Sequence, residues 1–143
     1  IFTYDYKRNY FKRITFDVYD DINPSFIDNE RIIFSSNRRD TLLKGDRGNF
    51  EKISNEFELY TANIKRRDTV SRLTYLEGKE LYPKAINENE IVFLSTTGNL
   101  QSLHKIDINK PEKIPYVIED SCKVLWKKSG LKPSSRFSLT LRK

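Results

Sequence analysis

Apolar residues along this chain fall in short blocks separated by turn-forming residues, with no long helical periodicity. Two of the blocks, "RIIFSS" (Arg31–Ser36) and "EIVFLS" (Glu90–Ser95), are nearly continuous apolar runs and read as strands buried on both faces. Each is entered from an Asn-rich turn, "DNE" and "NEN". Around them "FKRITF" (Phe11–Phe16) and "VSRLTYL" (Val70–Leu76) alternate in part, while "LHKIDI" (Leu103–Ile108) and "RFSLTLRK" (Arg136–Lys143) alternate throughout, as half-exposed strands do. Pro24 and Pro83 have no N–H to give to a ladder, which places them at strand starts or on an edge. "TTGN" (Thr96–Asn99) reads as a tight hairpin turn in which Gly98 takes a positive φ. The only helical candidate, "FEKISNEF" (Phe50–Phe57), is short. The pattern predicts an all-β chain of antiparallel strands.

The blocks also repeat. At an offset of 59, Arg13-Ile14-Thr15 falls on Arg72-Leu73-Thr74, Pro24 on Pro83, Ile27 on Ile86, Phe34 on Phe93 and Ser36 on Ser95. With a shift of one residue, "IFTYDY" at Ile1 falls on "LYTANI" at Leu59, and "LHKIDI" opens a third copy. Apolar positions meet apolar ones and turn residues meet turn residues, the mark of a repeat architecture. Each unit is roughly 45 residues of about four short strands, the size of one propeller blade. The first copy is lengthened by an insertion, "TLLKGDRGNFEKISNE" (41–56), where the second has only its Thr96–Asn99 turn. Such an insertion at a hairpin is tolerated because loop-closure entropy grows slowly with length.

Composition narrows the classes. Of 143 residues, 37% are hydrophobic and 13% aromatic, which fits neither a disordered nor a membrane protein. No apolar run approaches the roughly 20 residues of a spanning helix, so the chain is expected not to span a membrane. It contains no Met and opens on Ile1 inside a strand-like block, so it is expected to be a processed product or a piece of a longer protein. The net charge of +6 is local: seven of the 26 basic residues, and none of the 20 acidic ones, lie from Ser121 onward. The body is close to neutral and the tail is basic.

The order "KRIT", "DDINPSF", "RIIFSSNRRD", "ELYTANI", "SRLT" resembles the TolB-like β-propeller repeat, in which Arg-Leu-Thr leads through a polar stretch to a Pro and then to an apolar strand closed by Ser-Asn-Arg. The second copy departs from it, with "STTGN" in place of that closing hairpin and Lys in "KELYPKAI" where Asp or Asn is usual. The resemblance covers residues 1–109, and residues 110–143 stand as further strands or a basic C-terminal segment. With its polar insertion, the chain is similar to large envelope-associated TolB-like proteins of Bacteroidetes-type bacteria. The resemblance implies part of a propeller, non-catalytic, binding protein partners within a larger complex. It also implies a periplasmic or outer-membrane-associated location, with no cofactor and no small-molecule substrate.

The residues themselves offer little chemistry. Cys122 is the only Cys and His104 the only His, which leaves no disulfide, no cysteine metal cluster and a poorly supported thiol nucleophile. Asp17, Asp20 and Asp21 lack the spacing of a calcium loop and read as solvated or turn-capping groups. Ser35 and Ser36 have no Gly-x-Ser-x-Gly around them, and "GDRG" (Gly45–Gly48) has no Lys-Ser/Thr to follow it. The positions that read as partner contacts are Lys44, Arg47 and Lys52 in the insertion and Trp126, Lys127 and Lys128 in "KVLWKK". Two other functions suit the same sequence. One is the regulatory propeller of a serine peptidase. The other is nucleic-acid binding through the basic tail, with Trp126 stacking on a base, against which the neutral body and missing RNA-binding motifs weigh.

Overall fold

A computed structural model describes residues 1–39, 42–43, 53–66, 69–110 and 116–117. These form strands and turns only, and among the described residues no helix is long and apolar enough to cross a membrane. The strands are β1 (Phe2–Asp5), β2 (Tyr10–Arg13), β3 (Asp21–Phe26), β4 (Arg31–Ser36), β5 (Leu42–Leu43), β6 (Glu58–Asn63), β7 (Thr69–Arg72), β8 (Lys79–Ala85), β9 (Glu90–Thr97), β10 (Leu100–Asp107) and β11 (Tyr116–Val117). They make three antiparallel sheets: the hairpin β1-β2, the sheet β3-β4-β6-β7-β5, and the sheet β8-β9-β10-β11. The two larger sheets share an up-and-down meander of four strands, and short β5 adds to the β7 edge of the first.

The repeat seen in the sequence recurs in the backbone. In β3, Asn23 and Pro24 lie opposite the single residue Phe34, and in β8 Tyr82 and Pro83 lie opposite Phe93. Both are β-bulges on edge strands, which is how a proline is accommodated in a sheet. The residue before each proline is left-handed, Asn23 at φ 52° and Tyr82 at φ 55°. Asn tolerates that region, whereas a bulky aromatic is strained there. The turn leading into the buried strand is also built twice. Asp28 Oδ1 accepts from the N–H groups of Glu30 and Arg31 at 2.7 Å, and Asn87 Oδ1 accepts from those of Asn89 and Glu90 at 2.9 Å. After the last full strand, Arg13 Nε donates to Thr15 O at 2.7 Å and Arg72 Nε to Thr74 O at 2.8 Å.

Packing follows from the two apolar runs. Ile32, Ile33, Phe34, Ser35 and Ser36 are all buried, so β4 is covered on both faces, and successive residues feed two separate cores. Ile32 and Phe34 join Tyr60 and Ala62 in a cluster toward the β1-β2 hairpin, where Ile1 and Ile14 pack on them. Ile33 joins Ile27, Leu59 and Leu73 toward the next sheet, which contributes Ile91, Phe93 and Ile106. The sheets therefore stack face to face in chain order, and each contributes equivalent residues to its neighbour. Glu80 N–H also donates to Phe57 O at 2.7 Å, tying the third sheet to the second. Gly98 takes φ 59° in the β9–β10 turn, as that turn requires.

Phe34 is fully buried between two sheets, so Phe34→Ala is expected to cost about 3–5 kcal/mol of unfolding free energy. Leu100→Ala, at an exposed position, is expected to cost no more than about 0.5 kcal/mol. Urea denaturation of the two variants beside the parent chain checks both.

Candidate functional site

The polar residues that the apolar pattern leaves unexplained converge at one end of the β3–β7 sheet. Past β4 the chain runs through Asn37 to Arg38, whose side chain is wholly buried. The Arg38 Nη2 group donates to Asp21 Oδ1 at 2.6 Å and to Asp17 Oδ1 at 3.1 Å, both carboxylates being buried as well. Its guanidinium carbon lies 5.2 Å from the Tyr60 ring centroid and 5.5 Å from those of Tyr19 and Phe34. The three rings supply the apolar walls and the two carboxylates the counter-charge, which is what a buried guanidinium needs. Tyr60 Oη donates to Arg38 O at 2.7 Å and closes the arrangement. Asn37 Nδ2 donates to Asp20 Oδ2 at 3.2 Å, and its own Oδ1 accepts the Asp20 N–H at 2.9 Å. Burial pushes the Asp17 carboxyl above the usual range, against the pull of Arg38.

Asp20 is exposed and Asp17 Oδ1 accepts the Tyr19 N–H at 3.2 Å, as a solvated or turn-capping reading expects, but the Asp17 and Asp21 carboxylates are not solvated. Asp17 and Asp21 are the buried counter-ions of Arg38, because the meander returns the end of β4 beside the start of β3. Among the described residues no group of three or more His, Cys, Asp or Glu side chains is placed to hold a metal ion. Ser35 and Ser36 are buried in the sheet, away from any substrate. His104 lies directly across from Phe93, with ring centroids 5.5 Å apart, in the place that Tyr60 takes across from Phe34 at 6.4 Å. It takes that place half-buried, with Nε2 at 2.7 Å from Ser102 Oγ.

Beside Arg38 opens a polar cleft of about 330 Å³ lined by Arg38, Arg39, Ser54, Glu56, Glu58 and Arg72. It lies at the root of the 41–56 insertion, between the end of β4 and the start of β6. Arg72 Nη2 donates to Glu58 Oε1 at 2.7 Å, and Arg72 Nη1 to Arg39 O at 2.5 Å. The second carboxylate oxygen of Glu58 accepts the Leu76 N–H at 3.3 Å. Glu80 of β8 meets Glu58 at the boundary between the two sheets and also accepts from Ser95 Oγ at 3.4 Å. Burial, reinforced by the Glu58 carboxylate, pushes the Glu80 carboxyl up to about 9. At neutral pH it is protonated and donates to Glu58.

At the offset of 59, Glu80 is the counterpart of Asp21, whereas the counterpart of Arg38 is Thr97. The third sheet has the buried acid without its arginine, so a carboxyl–carboxylate pair stands where the second sheet has an ion pair. Sequence reasoning missed Arg38, Glu58, Arg72 and Glu80 as a group. The signal available was that acid retained at a repeat position without its base. The predicted contacts Lys44, Arg47, Lys52, Trp126, Lys127 and Lys128 lie outside the described residues, as do Cys122 and the Gly45–Gly48 stretch. No family model matches this sequence, and no curated protein matches it.

Two outcomes follow from this geometry. Arg38→Ala leaves two buried carboxylates facing each other and is expected to cost about 3–5 kcal/mol in urea denaturation. Arg38→Lys, which keeps the charge but not the planar contact with three rings, is expected to recover only part of that loss. For Glu80, the folded chain holds a proton that the unfolded chain releases near pH 4.5, so stability is expected to fall as pH rises from about 4.5 to about 9. Thermal unfolding of Glu80→Gln across that window is expected to lack this component, because the amide donates to Glu58 without titrating.

Proposed function

We propose that the stacked sheets are consecutive blades of a TolB-like β-propeller. On this reading the chain is a non-catalytic, protein-binding scaffold in a larger bacterial cell-envelope protein, periplasmic or outer-membrane-associated. The observation that carries it is the recurrence of one four-stranded meander, with its bulge and its turn in equivalent positions, stacked face to face on the next. Face-to-face stacking of such units in chain order is what a ring of blades requires.

Support for a binding role rather than a chemical one comes from how the polar side chains are used. Asp17, Asp21 and Arg38 serve one another, Glu58 serves Arg72 and Glu80, and Ser35 and Ser36 are buried. The surface left for a partner is the rim at the cleft, where exposed Arg39 sits at the root of the insertion carrying Lys44, Arg47 and Lys52. Loops on a rigid sheet scaffold are where binding residues concentrate.

The test is recovery of the intact protein from gently solubilised cells, wild type and Arg39→Glu side by side, with mass spectrometry of everything bound. Wild type is expected to bring down outer-membrane or secretion components, and Arg39→Glu to bring down several-fold less of them. A protein recovered alone, with a hydrolase domain in the same chain, would replace the scaffold with a blade set that gates a peptidase.

A further inference from the structure

Three turns at one end of the sheets are built alike. Each opens with an Asp or Asn at the end of a strand, whose Oδ1 accepts N–H groups further along the turn. After β1, Asp5 Oδ1 takes the Lys7 and Arg8 N–H groups at 3.0 and 3.1 Å. After β6, Asn63 Oδ1 takes those of Lys65 and Arg66 at 2.8 and 2.9 Å. After β10, Asp107 Oδ1 takes that of Asn109 at 2.9 Å, and Asp107 O that of Lys110 at 3.0 Å. An offset of 58 lays Lys7-Arg8 on Lys65-Arg66, so the pair of cations recurs with the turn. Lys7, Arg8, Lys65, Arg66 and Lys110 are all exposed.

The three turns stand in a row. Lys12 Nζ donates to Ile64 O and, at 3.4 Å, to Lys65 O, which ties the first hairpin to the second turn. Arg31 Nη2 donates to Glu88 O at 3.2 Å and joins the second sheet to the third at the same end. Ile64 N–H donates to Glu30 O at 2.7 Å and Ile108 N–H to Asn89 O at 2.8 Å, so the second and third turns hold equivalent places beside the β3–β4 and β8–β9 turns. Those neighbouring turns carry acids, Asp28, Glu30, Glu88 and Glu90, and Asp28 and Glu90 hold Arg31 and Lys105. A cationic row therefore crosses the stack with carboxylates along one side. Lys7 and Arg66 form no ion pair with a described residue. The pairs of Arg8 with Asp5, Lys65 with Glu30 and Lys110 with Asp107 are open to solvent, and such pairs give way to a better anion at little cost.

We propose that this row binds an extended Asp- and Glu-rich segment of a protein partner. The proposal rests on the protein-binding reading above and names the partner's chemistry. The flanking acids confine an anion to a narrow track, which suits a single chain and repels a broad anionic surface such as a bilayer or a duplex. Exposed aromatic residues on which a base could stack, Tyr6 and Tyr10, stand at the first turn, and none stands among the described residues of the second and third. A single-stranded nucleic acid would need such platforms along the row. Carboxylates need none, since they meet Arg and Lys in charge-assisted hydrogen bonds. Stacked sheets lie about 10 Å apart and an extended chain rises about 3.4 Å per residue, so acidic residues three or more positions apart meet one turn after another.

The test is fluorescence anisotropy of the 143-residue chain with a labelled peptide. The peptide has about 12 residues, Glu at every third position and Ser and Gly between, enough at about 3.4 Å per residue to cross three turns. Saturable binding is expected, weakening as salt rises from about 0.05 to about 0.3 M. Lys7→Gln with Arg8→Gln, and Lys65→Gln with Arg66→Gln, are each expected to weaken it about fivefold, and all four together further. Lys127→Gln with Lys128→Gln, in the basic tail, is expected to leave it within about twofold. The substituted turn residues are exposed, so their urea midpoints are expected to match the parent's. Absence of saturable binding, or binding that the tail variant loses and the turn variants keep, overturns this proposal alone, because partners recovered from cells would still uphold the scaffold. Turn-dependent binding of a single-stranded oligonucleotide, tighter than that of the peptide, overturns the protein-binding reading as well.

Discussion

A strand buried on both faces has no place in a sheet that faces water, and this requirement organises the molecule. β4 and β9 carry apolar side chains up and down, so each needs a covered surface on either side. Stacking the sheets meets that need, with alternate residues of one strand divided between two cores. Ile32 and Phe34 go one way and Ile33 the other. Burying such side chains stabilises by roughly 1.5–3 kcal/mol each. The edge strands can then carry bulges and prolines, because the stack does not depend on their pairing.

Stacking also decides where charge is buried. Arg38 lies just past the end of β4, at a level where the neighbouring strand start brings Asp17 and Asp21. Three aromatic rings lie within 5.5 Å of its guanidinium carbon, and Nη2 carries both ion pairs. The third sheet lacks the arginine, and its equivalent acid takes a proton instead. Two solutions to one buried position therefore lie side by side in one chain. The protonated pair costs less desolvation than two unpaired charges, and it makes the boundary between those sheets sensitive to pH.

Polar groups line a cleft at the end of the sheet from which the insertion emerges. Arg39 and the mouth of the cleft stand on a frame held by the Glu58–Arg72 pair and by the buried strands. A rigid frame of this kind suits a surface that must present one shape to a partner, and the blade reading gives that surface its place on a rim.

Local chemistry made much of the fold legible. The runs at Arg31–Ser36 and Glu90–Ser95 declared strands buried on both sides, Pro24 and Pro83 declared edges, and Gly98 declared its turn, because each depends on neighbours along the chain. The offset of 59 declared two equivalent units for the same reason. Tertiary structure alone decided the rest. Nothing in Tyr82 itself signals a left-handed residue, since the bulge exists only against β9. Nor does the Asp17–Asp21 stretch signal a buried site, since its carboxylates lose their water only when Arg38 and three rings arrive from elsewhere in the chain. A residue's backbone preference acts over a few bonds, whereas burial and electrostatic environment are set by the neighbours that folding brings.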